Sequence, residues 1–178
     1  MERQLTVKPQ NPWPGRFIAA AIIQGAAIVA LTGIIVIGSM YFIKPDVARV
    51  IAAGAAGTWL AFGYIIYILV AVIGVAVSAV FYHLLGARIS SVFAWLHLAL
   101  MNGGATVAAG MMMYAGYIGG AAGLPQVVGG GGLDPTHVHQ LIGAYVQPIG
   151  IAVLFILVGV LCGGVGYILA YRKGSIKS

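Results

Sequence analysis

The chain is nearly without acid. Among its 178 residues only Glu2, Asp46 and Asp134 carry carboxylates. Four long stretches contain no Asp, Glu, Lys or Arg at all: Phe17 to Ile43, Val50 to Ala87, Ile89 to Leu133, and Pro135 to Tyr171. Proton-coupled carriers usually place ionisable groups at membrane depth, so a proton pump is disfavoured, and so is a transporter built only on Gln24, Asn102 and Gln147. Cysteine is nearly missing too. Cys162 stands alone inside the last stretch, which excludes an internal disulfide and leaves it as a small packing residue. No histidine occurs between Met1 and Tyr82. No stretch remains for a soluble domain, so nucleic-acid binding is not expected.

What is present is apolar. With 61% hydrophobic and 7% charged residues, the chain cannot cover itself with the polar surface a water-soluble domain needs. A bilayer core takes roughly 20 apolar helical residues to cross, and each of the four stretches is long enough. The expected fold is all-α: an integral membrane bundle of four transmembrane helices at about 17–43, 50–84, 89–119 and 136–171. A cytoplasmic tail, 1–16, precedes the 17–171 domain, and a basic tail, 172–178, follows it. The first stretch is too long for a cleavable signal core of about 7–15 residues.

Charge placement sets the expected orientation. Arg3, Lys8, Arg16, Arg88, Arg172, Lys173 and Lys177 fall on one side of a four-span protein, and only Lys44 and Arg49 on the other. Positive charge is retained inside, so both termini should be cytoplasmic in a cell-membrane, multi-pass protein. Anionic lipid is the expected contact of the basic tails.

Small residues recur at four-residue spacing: Gly74 and Ser78, Gly104 and Ala108, Gly116 and Gly120, Gly159 and Gly163. Such pairs let helices approach closely in lipid, against each other or against partner subunits. Gln24, Asn102, Gln140 and Gln147 are the polar residues left within the spans, expected as hydrogen-bond partners between helices. Lys44-Pro45-Asp46 should end the first helix. Asp134 should cap the fourth, with Pro135 at its first position and a kink at Pro148. Between the third and fourth helices a glycine-rich loop, Gly119 to Gly132, is either a docking surface or a flexible connection.

Four histidines follow Tyr82. His83 and His97 lie toward the cytoplasmic ends of adjacent helices and could ligate a haem from two sides, or simply sit at the interface bonded to water or backbone. His137 and His139 with Asp134 are a candidate metal set, although spacing by two sends the rings to different faces of a helix. Met111, Met112 and Met113 point in three directions and cannot converge on one ion; packing is the expected role.

The segment Phe81 to Pro125, "FYHLLGARISSVFAWLHLALMNGGATVAAGMMMYAGYIGGAAGLP", resembles the eleventh helix of haem-copper oxidase subunit I with its approach and exit. Leu96-His97, Met101-Asn102-Gly103 and Gly123-Leu124-Pro125 carry the likeness. Ala30 to Ser39, "ALTGIIVIGS", is similar to that family's ninth helix. The resemblance implies the scaffold of the last four helices of that subunit, starting and finishing on the cytoplasmic side. It also shows what is gone. The family's haem-ligating His-x-His has no counterpart before Tyr82. The arginine pair after Gly-x-Pro, which meets haem propionates, is replaced by Gln126 and Val127, and the copper ligands belong to helices this chain lacks. His97 matches a family histidine that binds no metal.

The sequence therefore leads to a non-catalytic multi-pass subunit of a respiratory terminal oxidase or similar redox membrane complex. It would hold no cofactor itself and would stabilise a partner bearing haem and copper. Two alternatives stay open: a small bis-histidine electron carrier using His83 and His97, or an accessory subunit of a membrane copper monooxygenase.

Overall fold

The computed structural model describes residues 11–85 and 88–175. Glu2, Arg3, Lys8 and Lys177, and the Gly86-Ala87 step of the turn after the second long helix, lie outside the described residues. The described chain is helical throughout, with no strand. Helices α1 (Trp13–Tyr41), α3 (Gly57–Leu85), α4 (Ser91–Gly123) and α5 (Pro135–Ser175) are long and apolar enough to cross a membrane. The short α2 (Val47–Ala52) follows α1. At 1.5 Å per residue even the 29-residue α1 is about 43 Å long.

Two boundaries differ from the sequence expectation, each for a physical reason. The second long helix starts at Gly57 rather than near residue 50. Asp46 caps α2 by accepting from the Arg49 amide at 2.9 Å, and the chain then turns through Gly54 (φ 72°) and Ala55 (φ 46°). A left-handed φ suits Gly54 and is rare for alanine. α4 runs to Gly123, past the expected end at 119, because Gly119 and Gly120 fill helix contacts: a Cβ on Gly119 would meet Ile142 at 2.4 Å, and one on Gly120 would meet Val50 at 2.6 Å. Tertiary packing here overrides the poor helix propensity of glycine. α5 runs on as one helix across Pro148.

Within α3, residues Tyr67–Gly74 form a π-helical segment. Past its end the Ser78 hydroxyl donates to the Gly74 carbonyl at 2.8 Å, giving that carbonyl a partner where the helical register changes.

α4 is the central helix. α5 packs along it, with Gly104 against the Ala152 carbonyl and Gly159 against the Met101 amide. The first half of α3 lies on the second half of α4: a Cβ on Gly116 would stand 2.2 Å from the Leu60 nitrogen. The last part of α3 swings across to α1, where Phe17 stacks on Tyr82 with ring centroids 4.5 Å apart. The core forms three patches along the bundle. Trp13, Phe17, Val75, Tyr82, Ile89 and Ala170 fill one end; Ile28, Tyr67, Ala71, Ala105 and Ala109 fill the middle; Ala56, Val138 and Ile142 fill the end near Asp134. The outer surface is apolar, with Ile22, Ile23 and Val29 of α1 each about two-thirds exposed.

Candidate functional site

The polar side chains of the long helices gather at two levels. In the middle, Gln24 of α1 donates to the Asn102 side-chain oxygen at 2.7 Å and to the Thr106 hydroxyl at 2.9 Å. Its own oxygen accepts from the Tyr67 hydroxyl. One amide thus joins α1, the start of the π-helical segment within α3, and α4. Higher on the same helices, the Thr32 and Tyr64 hydroxyls share a hydrogen bond of 2.7 Å. Every bond in this network is between neutral groups, so it holds helices together without placing charge at depth.

Nearer the Trp13 end lies an aromatic box around His97. The imidazole is 3% exposed. Phe17, Tyr82 and Tyr167 stand with ring centroids 5.2, 5.9 and 5.8 Å from it. Its Nδ1 is 3.3 Å from the Tyr82 hydroxyl and 3.5 Å from that of Tyr167. Gly163 closes the fourth side: a Cβ there would lie 2.4 Å from Nδ1. Gly163 is glycine because the ring needs its space.

His83 does not join this box. It follows Tyr82, which faces His97, and one helical residue turns its side chain by about 100°. It is exposed. The two histidines considered as haem ligands therefore occupy opposite environments, one sealed among aromatic rings and one open.

At the other end, Asp134 caps α5 by accepting from the Thr136 and His137 amides at 2.9 and 3.2 Å. Its second oxygen pairs with His137 Nδ1. These hydrogen bonds, first that of the His137 side chain, hold the carboxyl below its ordinary value. His139 lines a groove of about 540 Å³ between the α2–α3 turn, α4 and α5, together with Trp59, Gly120 and Gly143. His137, His139 and Asp134 do not converge. Among the described residues no group of three His, Cys, Asp or Glu side chains is placed to hold a metal ion. Gln126 and Val127, where the oxidase-like pattern would have arginines, are exposed in a 3-10 turn.

The eight small residues singled out by spacing all lie at or beside helix contacts inside the chain. Gly74 meets the Met101 methyl. Ser78 and Ala108 are buried, and Gly104, Gly116, Gly120, Gly159 and Gly163 each face a neighbouring helix. Other glycines have open space beside them, among them Gly103 and Gly110 on α4 and Gly143 and Gly150 on α5. Gln140 and Gln147 of α5 are exposed. The sequence reading did not single out the Tyr67–Gln24 bond, the π-helical segment or the Tyr82–His97–Tyr167 box. Only the mid-span position of Gln24 and Asn102 gave a signal for the first.

Compared with protein-family models, with curated proteins and with solved structures, the chain finds no match in any of the three.

Proposed function

We propose that the chain is a non-catalytic multi-pass subunit of a redox membrane complex, both termini cytoplasmic, that packs beside and stabilises a haem- or copper-bearing subunit. The observation that supports it is the unused face of α4 and α5. Gly103, Gly110, Gly143 and Gly150 leave room for another backbone to approach, and the exposed Gln147 sits between the last two. An amide directed into hydrocarbon is costly, and a second helix bringing a polar partner removes that cost. On this reading the role of the chain itself is structural. The redox character of the partner rests on the oxidase-like helix pattern of Phe81 to Pro125.

The test is extraction in mild detergent, mass spectrometry of what accompanies the chain, and a visible spectrum of the same fraction. The expected result is co-purification with a coloured metalloprotein, and loss of colour from this chain once the two are separated. An isolated chain carrying stoichiometric haem would overturn the reading in favour of the bis-histidine carrier.

A further inference from the structure

Among the described residues, the Trp13 end of the bundle carries cations without acids. Arg16, Arg88, Arg172 and Lys173 stand there, while the two described carboxylates are at the opposite end. Asp46 is 3.5 Å from the Arg49 guanidinium and Asp134 is paired with His137. One of the four cations is held in place. The Arg16 guanidinium carbon lies 4.7 Å from the Trp13 ring centroid and 5.4 Å from that of Trp95. The two indoles meet edge to face, 5.6 Å apart at 84°.

The clamp has a rigid base. Trp13 is 4% exposed, and its amide donates to the Asn11 side-chain oxygen at 3.2 Å. Asn11 in turn donates to the Tyr82 carbonyl at 3.2 Å, so the start of α1 is tied to the end of α3. Trp95, on the second turn of α4, is half exposed. Attraction to aromatic rings engages the charge of a guanidinium and leaves its in-plane N–H donors free for an oxyanion. Those donors match phosphate geometry, and the two flanking rings remove part of the rotamer freedom that binding would otherwise cost.

We infer that Arg16, positioned by Trp13 and Trp95, binds the phosphate of an anionic phospholipid headgroup. A lipid rather than free phosphate is the occupant because the surface beside the clamp is apolar: Ile18 and Ile22 of α1 and Val92 of α4 are all exposed. Acyl chains cover such a surface while the headgroup reaches the arginine at the interface. The absence of carboxylates at this end, among the described residues, lets the cations act together on a negative headgroup.

The test uses the full chain, purified and stripped of lipid, with binding followed by native mass spectrometry. The probes are phosphatidylglycerol, phosphatidylcholine and inorganic phosphate. Wild type should bind phosphatidylglycerol in preference to phosphatidylcholine, and Arg16→Gln should weaken that binding about fivefold, the worth of one interfacial cation. Trp95→Leu, which keeps the charge but removes one wall, should weaken it too, while Arg16→Lys should restore only part of the loss. Thermal unfolding of each variant in the same detergent checks that the bundle is intact. Equal binding of the two lipids, or an Arg16→Gln variant indistinguishable from wild type, overturns the inference. Displacement of phosphatidylglycerol by millimolar inorganic phosphate overturns the lipid as occupant and leaves a free-anion site.

Discussion

The Tyr67 hydroxyl donates to the Gln24 side-chain oxygen, and the same amide's nitrogen reaches Asn102 and Thr106 on a third helix. Three helices are therefore coupled through one side chain at mid-bundle, where hydrocarbon offers no replacement partner. Interhelical hydrogen bonds in membranes average about 0.6 kcal/mol and reach about 1.7. Gln24→Leu should cost about 1–2 kcal/mol of bundle stability, since it breaks several at once. A double-mutant cycle with Tyr67→Phe, read by unfolding in mixed micelles, should show a coupling of about 0.6–1.7 kcal/mol. Strict additivity of the two changes would mean that the bond contributes nothing.

Glycines of similar sequence context should respond in opposite ways. Gly116→Ala places a methyl against the Leu60 backbone, which cannot yield as a side chain does. Overpacking of that kind costs about 1–3 kcal/mol. Gly110→Ala has nothing within 4 Å of the new carbon and should be neutral or stabilising, by up to about 1 kcal/mol, from helix propensity. Thermal aggregation temperatures of the two variants in one detergent would check the contrast, and equal responses would contradict the α3–α4 packing.

These glycines show how much of the fold was legible. The four spans follow from the charge-free stretches, because a long apolar run has one stable solution in lipid. That Gln24 and Asn102 bond between helices was legible because an amide within an apolar span needs a partner, but that they bond each other was not. The break at Ala53 to Ala56 was not, because alanine and glycine read alike as apolar helix and only the left-handed Gly54 and Ala55 end it. Gly119 to Gly123 read as loop on propensity alone, yet the contacts of Gly119 and Gly120 with Ile142 and Val50 keep it helical. The aromatic box was hidden for a different reason. Phe17, Tyr82, His97 and Tyr167 come from four helices, and no local pattern records their meeting.

That box gives a sharp test of the histidines. His97→Ala removes a ring enclosed by Phe17, Tyr82, Tyr167 and Gly163, and ring-to-alanine changes in cores cost about 3–5 kcal/mol. His97→Phe retains most of the volume and should cost much less. His83→Ala, at an exposed position, should stay within about 0.5 kcal/mol. A shared functional role would make the two alanine variants behave alike in membrane yield and visible spectrum. The structure predicts that they differ.

The Asp134 cap should respond to acid in one direction. Hydrogen bonds from His137 and from the Thr136 amide hold its folded-state carboxyl below the ordinary range, so protonation is harder when α5 is formed. Its contribution is then complete above the ordinary carboxylate pKa of about 3.9 and is lost as pH falls through the lowered folded value. The Asp134 carboxyl resonance should titrate with a midpoint below the ordinary value of about 3.9. Asp134→Asn keeps a capping oxygen and should remove the acid-dependent shift while leaving the helix start in place. A carboxyl midpoint at or above the ordinary value would contradict the capping geometry.

The partner face separates assembly from folding. Gly143 and Gly150 have no atom near a prospective Cβ, and Gln147 lies between them on the same stretch of α5. Gly150→Leu should leave the isolated bundle as stable as wild type, because the added side chain enters open space. A helix that packs there would be pushed away, since close backbone approach depends on small residues. The variant should reach the membrane normally yet lose its co-purifying subunit, whereas Gly116→Ala should lower stability before it affects association. Gln147→Leu should weaken association without abolishing it, by about 0.6 to 1.7 kcal/mol if the partner supplies one hydrogen bond. Recovery of the complete complex with both Gly150→Leu and Gln147→Leu would move the interface to another face and leave these glycines without an assembly role.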